Sequence, residues 1–144
     1  MKRLLFLFTL LAFGAGLLAQ DADRDAIKKV IQEAYVDGIQ NRGDIETIRN
    51  GFDPGFELLG IRENKLTRLP IGEWIANIEK SKQANPNPPE HLTSGKFRAV
   101  DITGISAVAK IELHRQGKLI FTDYLSLYKF DEGWKIVSKI YHRH

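Results

Sequence analysis

The chain predicts an α+β domain in which three N-terminal helices pack on a strongly curved, mostly antiparallel sheet, a cone-shaped barrel. Three observations predict it. Apolar residues recur at helical spacing through the first half of the chain beyond residue 20, then at a spacing of two from Phe97 to His142. The Pro-rich stretch Ala84 to Glu90 separates the two regimes. Helices first and a run of strands after them place helices on one face of an antiparallel sheet.

The N-terminus comes before the fold. Met1-Lys2-Arg3 is a short basic segment and Leu4 to Leu18 is almost wholly apolar, with small Ala19 before Gln20. This pattern predicts a secretory leader over residues 1–19, too short to span a bilayer. The expected mature domain is 20–144, exported to a periplasm or secreted, with no membrane association after cleavage. Without Lys2 and Arg3, 19 basic residues face 18 acidic ones, so no basic surface points to nucleic acid. There is no cysteine, so disulfides do not stabilise an exported fold of this sequence.

In the first helix, expected over Asp21 to Asn41, Ile27, Val30, Ile31, Ala34, Tyr35, Gly38 and Ile39 form one apolar stripe. Asp21, Asp23 and Asp25 suit its positive end, and Gly43 suits a left-handed cap at its far end. Asp44 caps a short second helix, Ile45 to Asn50. Asp53-Pro54-Gly55 signals a turn before a strand through Phe56, Leu58 and Gly60, which Glu63-Asn64-Lys65 ends. Pro70 opens a third helix carrying Ile71, Trp74, Ile75 and Ile78 on one side. The strands expected after the Pro-rich loop are Phe97–Ile102, Ala107–His114, Leu119–Phe130 and Trp134–His142, a meander.

Register is inferred from the apolar face, because a slip of one residue inverts every side chain. A Glu132-Gly133 loop sets Leu127 opposite Ser138, Leu125 opposite Ile140 and Asp123 opposite His142. A three-residue loop, Arg115-Gln116-Gly117, sets Ile111 opposite Phe121 and Ala109 opposite Asp123. Asp123 then sits on the buried face among Phe121, Leu125 and Leu127. A carboxylate there needs a partner or a task. Small Ala107, Ala109 and Ser138 leave room beside it for a small-molecule cleft.

The candidate catalytic residues are Asp123 as general base, with His142 as proton shuttle and Tyr35 as donor. Tyr141 is an alternative donor and, with Trp74, Ala109 and Ser138, a candidate ligand contact. Each residue also has a structural reading. Asp123 is held by His142, a Lys or backbone amides. Trp74 and Trp134 are core aromatics as readily as stacking surfaces, and His91 is a solvated loop histidine. His142 and His144 share a strand face but lack a third metal ligand. Asp53 fits an Asx-turn. The outer face of the long strand, with Tyr124, Tyr128 and Phe130, is too aromatic for water and predicts a homodimer packed sheet on sheet. No phosphate loop, nucleophile elbow or metalloprotease motif occurs, and no nucleotide, metal or haem cofactor is indicated.

Several stretches resemble the nuclear-transport-factor-2-like superfamily, and more narrowly its "putative lumazine-binding" branch. They are Ala26-Ile27 to Gly38, Gly51-Phe52-Asp53-Pro54, Thr122-Asp123-Tyr124-Leu125-Ser126-Leu127 and Gly133-Trp134-Lys135-Ile136-Val137-Ser138-Lys139. The chain departs from that pattern at Asp53, where the branch has His before Pro. The resemblance implies the cone fold and a pocket for a small, planar, pteridine- or flavin-like ligand. It also admits an isomerase, dehydratase or cyclase, since this superfamily spans enzymes and binders alike.

Overall fold

The computed structural model describes residues 19–144. The expected leader therefore lies outside the described residues, except for Ala19. Helix α1 covers residues 19–40, and its second half, Ile31–Gln40, is wound as a π-helix. Helix α2 is Ile45–Gly51 and α3 is Ile71–Ala84. The strands are β1 (Phe52–Arg62), β2 (Lys65–Pro70), β3 (Thr93–Thr103), β4 (Ser106–Arg115), β5 (Lys118–Phe130) and β6 (Gly133–Arg143). They form one sheet in the order β2-β1-β6-β5-β4-β3, antiparallel throughout except for the parallel β1–β6 pair. This is the expected α+β class, and the described residues carry three helices, the first of them half π-helical. The sheet does not close, however: β2 and β3 are its edges, so the predicted barrel is an open sheet.

One core joins the layers. Ile27, Ile31, Tyr35 and Ile39 of α1, Ile48 of α2 and Ile75 of α3 pack against Phe52, Phe56, Ile111, Leu113, Leu125, Leu127 and Ile136 of the sheet. The helices approach closely: a Cβ on Gly51 would stand 2.2 Å from Ala34 Cβ. Asp44 caps α2 as expected, accepting from Thr47 N at 2.7 Å. Asn41 clips the end of α1 to β3, donating to Thr93 O at 2.9 Å and accepting from Thr93 N at 2.7 Å. Asp23 accepts from Lys129 Nζ at 2.6 Å and Trp134 Nε1 at 2.9 Å, tying the start of α1 to the β5–β6 turn.

Several local expectations are corrected. The left-handed residue after α1 is Arg42 (φ 56°), not Gly43; Gly43 instead lets its own N–H reach Gly38 O at 2.8 Å. Pro70 precedes α3 as its N-cap rather than opening it. β1 begins at Phe52 and runs through the Asp53-Pro54-Gly55 signal, where its register with β6 shifts. β2 was not expected at all: Lys65 to Pro70 offers no apolar alternation because it is an exposed edge strand, joined to β1 by left-handed Glu63 and Asn64.

Both hairpin registers also differ. Asp131-Glu132 is the β5–β6 loop, so Phe130 faces Gly133. Leu127 pairs with Ile136 and Ser126 with Ser138, which leaves Val137 as an extra residue, a β-bulge. Beyond that bulge the parity of β6 flips. Lys139 and Tyr141 turn to the inner side, Leu125 faces Lys139, and Asp123 faces Tyr141 rather than His142. In the β4–β5 hairpin the loop is Gln116-Gly117, both with positive φ, and Ile120 is the extra residue. Ile111 therefore faces Asp123, and Ala109 faces Leu125.

Candidate functional site

The bulge at Val137 builds the site. It delivers Lys139 to the inner face, where its side chain is only 5% exposed beside a fully buried Asp123. Lys139 Nζ donates to Asp123 Oδ1 at 2.9 Å and to Tyr35 Oη at 2.7 Å. Tyr35 Oη donates to Asp123 Oδ2 at 2.6 Å and accepts from Gln40 Nε2 at 3.1 Å. The π-helical winding matters here. Tyr35 and Gln40 are five residues apart, a spacing whose side chains meet along a π-helix and diverge on an α-helix. Gln32 and Asp37, also five apart, pair at 2.9 Å in the same segment.

Burial and charge shift the two groups bonded to Asp123. Burial, then the nearby Asp123 charge, hold the Tyr35 phenol well above its ordinary 10.0, so it stays a donor. Burial lowers the Lys139 ammonium from its ordinary 10.5, and the Asp123 charge and hydrogen bond oppose that shift. Lys139 has three N–H donors. Two are used, and no third oxygen or nitrogen acceptor for it exists among the described residues. Its nitrogen lies 4.8 Å from the Tyr35 ring centroid, 4.9 Å from that of Tyr141 and 6.0 Å from that of Phe121.

Lys139 forms the floor of a cleft of about 380 Å³ lined by Ile39, Gln40, Leu58, Trp74, Phe121, Tyr141 and Arg143. That volume is near the low end of the usual range for small-molecule sites, about 300–1,000 Å³. Trp74 stacks on Phe56 at 6.2 Å and meets Tyr35 edge-on. Tyr141 meets Phe121 edge-on at 5.7 Å. Arg143 lies with its guanidinium carbon 5.6 Å from the Phe121 ring centroid. It has no carboxylate partner among the described residues. The Lys139 and Asp123 charges cancel, so the cleft keeps the positive charge of Arg143.

Of the residues singled out from sequence, Asp123, Tyr35, Trp74 and Tyr141 come together here, the last two as walls and the first two beneath Lys139. His142 does not join them. It lies on the outer face, paired with Thr122, its ring 4.8 Å from His144. Among the described residues no three His, Cys, Asp or Glu side chains cluster to hold a metal. Ala109 is packed in the core, and Ser138 at the bulge does not line the cleft. Trp134 is a core residue held by Asp23, and His91 sits in the exposed loop. Asp53 makes the Asx-turn, accepting from Gly55 N at 2.8 Å. Lys139, Arg143 and Gln40 were missed. The signal for Lys139 was Asp123 itself: a buried carboxylate asks for a cation, and the β6 parity that places Leu125 against Lys139 supplies one.

An open sheet backed by three helices, with a cleft between α3 and the ends of β5 and β6, is the architecture of the nuclear-transport-factor-2-like proteins. The chain belongs to the family described as "Putative lumazine-binding", which it matches over residues 22–142. It is similar to an NTF2-like protein of unknown function from Shewanella baltica OS155, at 27% identity and TM-score 0.66, over 85% of this chain and 94% of that one. A second, from Methylobacillus flagellatus KT, is 26% identical with TM-score 0.62, over 85% of this chain and 93% of that one. The aldolase FrzH of a Cladobotryum species is 25% identical over 109 residues, 75% of this chain and 82% of that protein.

Proposed function

We propose that this protein binds a small planar ligand in the cleft between Trp74 and Tyr141, with an acceptor atom of the ligand on Lys139 Nζ. One observation carries the reading: a buried ammonium with a spare N–H forms the floor of an aromatic-walled cleft. Lys139 Nζ has two oxygen partners, and a ligand acceptor in the cleft would take its third N–H. The volume suits a one- or two-ring compound, and Arg143 favours an acidic group at the mouth. A pteridine dione such as lumazine supplies the planar two-ring body and the carbonyl acceptor, in keeping with the family description.

The reading extends to an exported protein, on the basic and apolar N-terminal pattern, in a homodimer that covers the outer face carrying Tyr124, Tyr128, Phe130 and Ile140. A second reading is turnover at a ligand carbonyl. The relative called an aldolase supports it, as does the placement of Asp123 as proton acceptor beside Lys139. The test is native mass spectrometry of residues 20–144 purified from a periplasm. A retained small molecule, lost in Trp74→Ala, is expected. Binding of lumazine and benzoate that is unchanged by Trp74→Ala would overturn the assignment of the cleft.

A further inference from the structure

We propose that Lys139 is a covalent group: its amine condenses with the carbonyl of an aldehyde or ketone bound in the cleft, forming an imine. The inference rests on the cleft being the ligand site. It goes beyond that reading in making the lysine a nucleophile rather than only a hydrogen-bond donor.

The geometry supplies each part of the step. Asp123 Oδ1, 2.9 Å away, takes the ammonium proton. The freed nitrogen lone pair adds to the carbonyl carbon, and a proton passes from nitrogen to oxygen to give the neutral carbinolamine. Asp123 returns its proton to that hydroxyl, which leaves as water while nitrogen closes the C=N bond. One carbonyl is consumed and one water released, with no oxidant or reductant. The lysine begins as an ammonium cation and ends as an iminium cation.

That last point selects this chemistry at this place. A fully buried carboxylate tolerates little change in the charge beside it. Acylation to a neutral amide would strip Asp123 of its countercharge, whereas the iminium keeps it. Tyr35 Oη bonds both partners and stays a neutral phenol, so it holds Asp123 Oδ2 while Oδ1 exchanges the proton. Burial also raises the fraction of free amine, and desolvation of this kind is one way a lysine becomes nucleophilic. The substrate class is a carbonyl compound with a planar or aromatic body between Trp74 and Tyr141, its acidic group toward Arg143.

The probe is 1-phenylbutane-1,3-dione, whose imine with a lysine tautomerises to a vinylogous amide that resists hydrolysis and absorbs in the near ultraviolet. Wild-type protein is incubated at neutral pH, and its intact mass, tryptic map and non-covalent complex are measured together. The expected result is one adduct of probe less water, on the Lys139 peptide. It forms faster than on exposed lysines, because burial favours the free amine at Lys139. Benzoate suppresses it. Mapping the wild-type adduct keeps the test independent of whether Lys139→Met folds. A non-covalent complex without adduct, or adducts on surface lysines alone, overturns the imine and leaves the binding reading standing. Neither complex nor adduct contradicts both.

Discussion

Lys139 Nζ and Asp123 Oδ1 lie 2.9 Å apart on neighbouring strands, with both side chains withdrawn from water. A buried pair of this kind adds little net stability, because the desolvation of two ions offsets their attraction. Breaking it is costly. Lys139→Met strands the carboxylate and is expected to destabilise by about 3–5 kcal/mol. Replacing both, as Asp123→Leu with Lys139→Met, is expected to restore wild-type stability or exceed it by up to about 4 kcal/mol. Urea unfolding of the four members of this cycle checks the claim. A double variant as unstable as the single one contradicts it.

The same cluster sets an alkaline response. Tyr35 is held above 10.0, so below that pH folded and unfolded chains both keep the proton and its contribution is complete. As pH rises above 10.0 toward the folded value, the unfolded chain loses the proton first and stability falls. Lys139 acts oppositely: it is lowered from 10.5, so its penalty shrinks as pH rises toward that value. Ultraviolet titration should show one of the four tyrosines failing to ionise until the protein unfolds. That late phenol disappears in Tyr35→Phe. Four tyrosines titrating together near 10.0 in folded protein would refute it.

Gly51 is fixed by contact. An added Cβ meets Ala34 Cβ at 2.2 Å, and neither backbone can move without opening the α1–α2 interface. Gly51→Ala is expected to cost about 1–3 kcal/mol, the usual range for overpacking. A denaturation midpoint unchanged from wild type would count against this close packing.

The helices and the meander were legible in the sequence because their signals are local: an apolar stripe, an Asp cap at Asp44, alternation through β4 and β5. The site was half legible. Asp123 stood out as a carboxylate on an apolar face, and Tyr35, Trp74 and Tyr141 were singled out around it. Its true partner was not found, because one parity was carried along the whole of β6, so that Leu125 would not face Lys139. The Val137 bulge violates that assumption, and a bulge has no reliable residue signature. β2 was invisible for the opposite reason, since an edge strand in water has no buried face to pattern.

The outer face carries Tyr124 at 39%, Tyr128 at 48% and Ile140 at 53% exposure, so large apolar side chains stand in water in the isolated chain. If a second copy covers them, light scattering at micromolar concentration reads a dimer, and Tyr128→Lys with Ile140→Lys shifts it to monomer without loss of fold. A wild-type monomer under those conditions rejects the homodimer.

The most direct test of the central claim is a nitrogen-15 side-chain spectrum of Lys139 during titration with lumazine or benzoate, in wild type and Arg143→Gln. A buried, hydrogen-bonded ammonium exchanges slowly with water, so the Lys139 resonance should stand apart before ligand is added. The expected result is saturable movement of that signal together with the Trp74 indole, with benzoate binding weakened about tenfold in Arg143→Gln, a loss of roughly 1.4 kcal/mol. Ligand binding that shifts outer-face residues while Lys139 and Trp74 stay still would contradict the account.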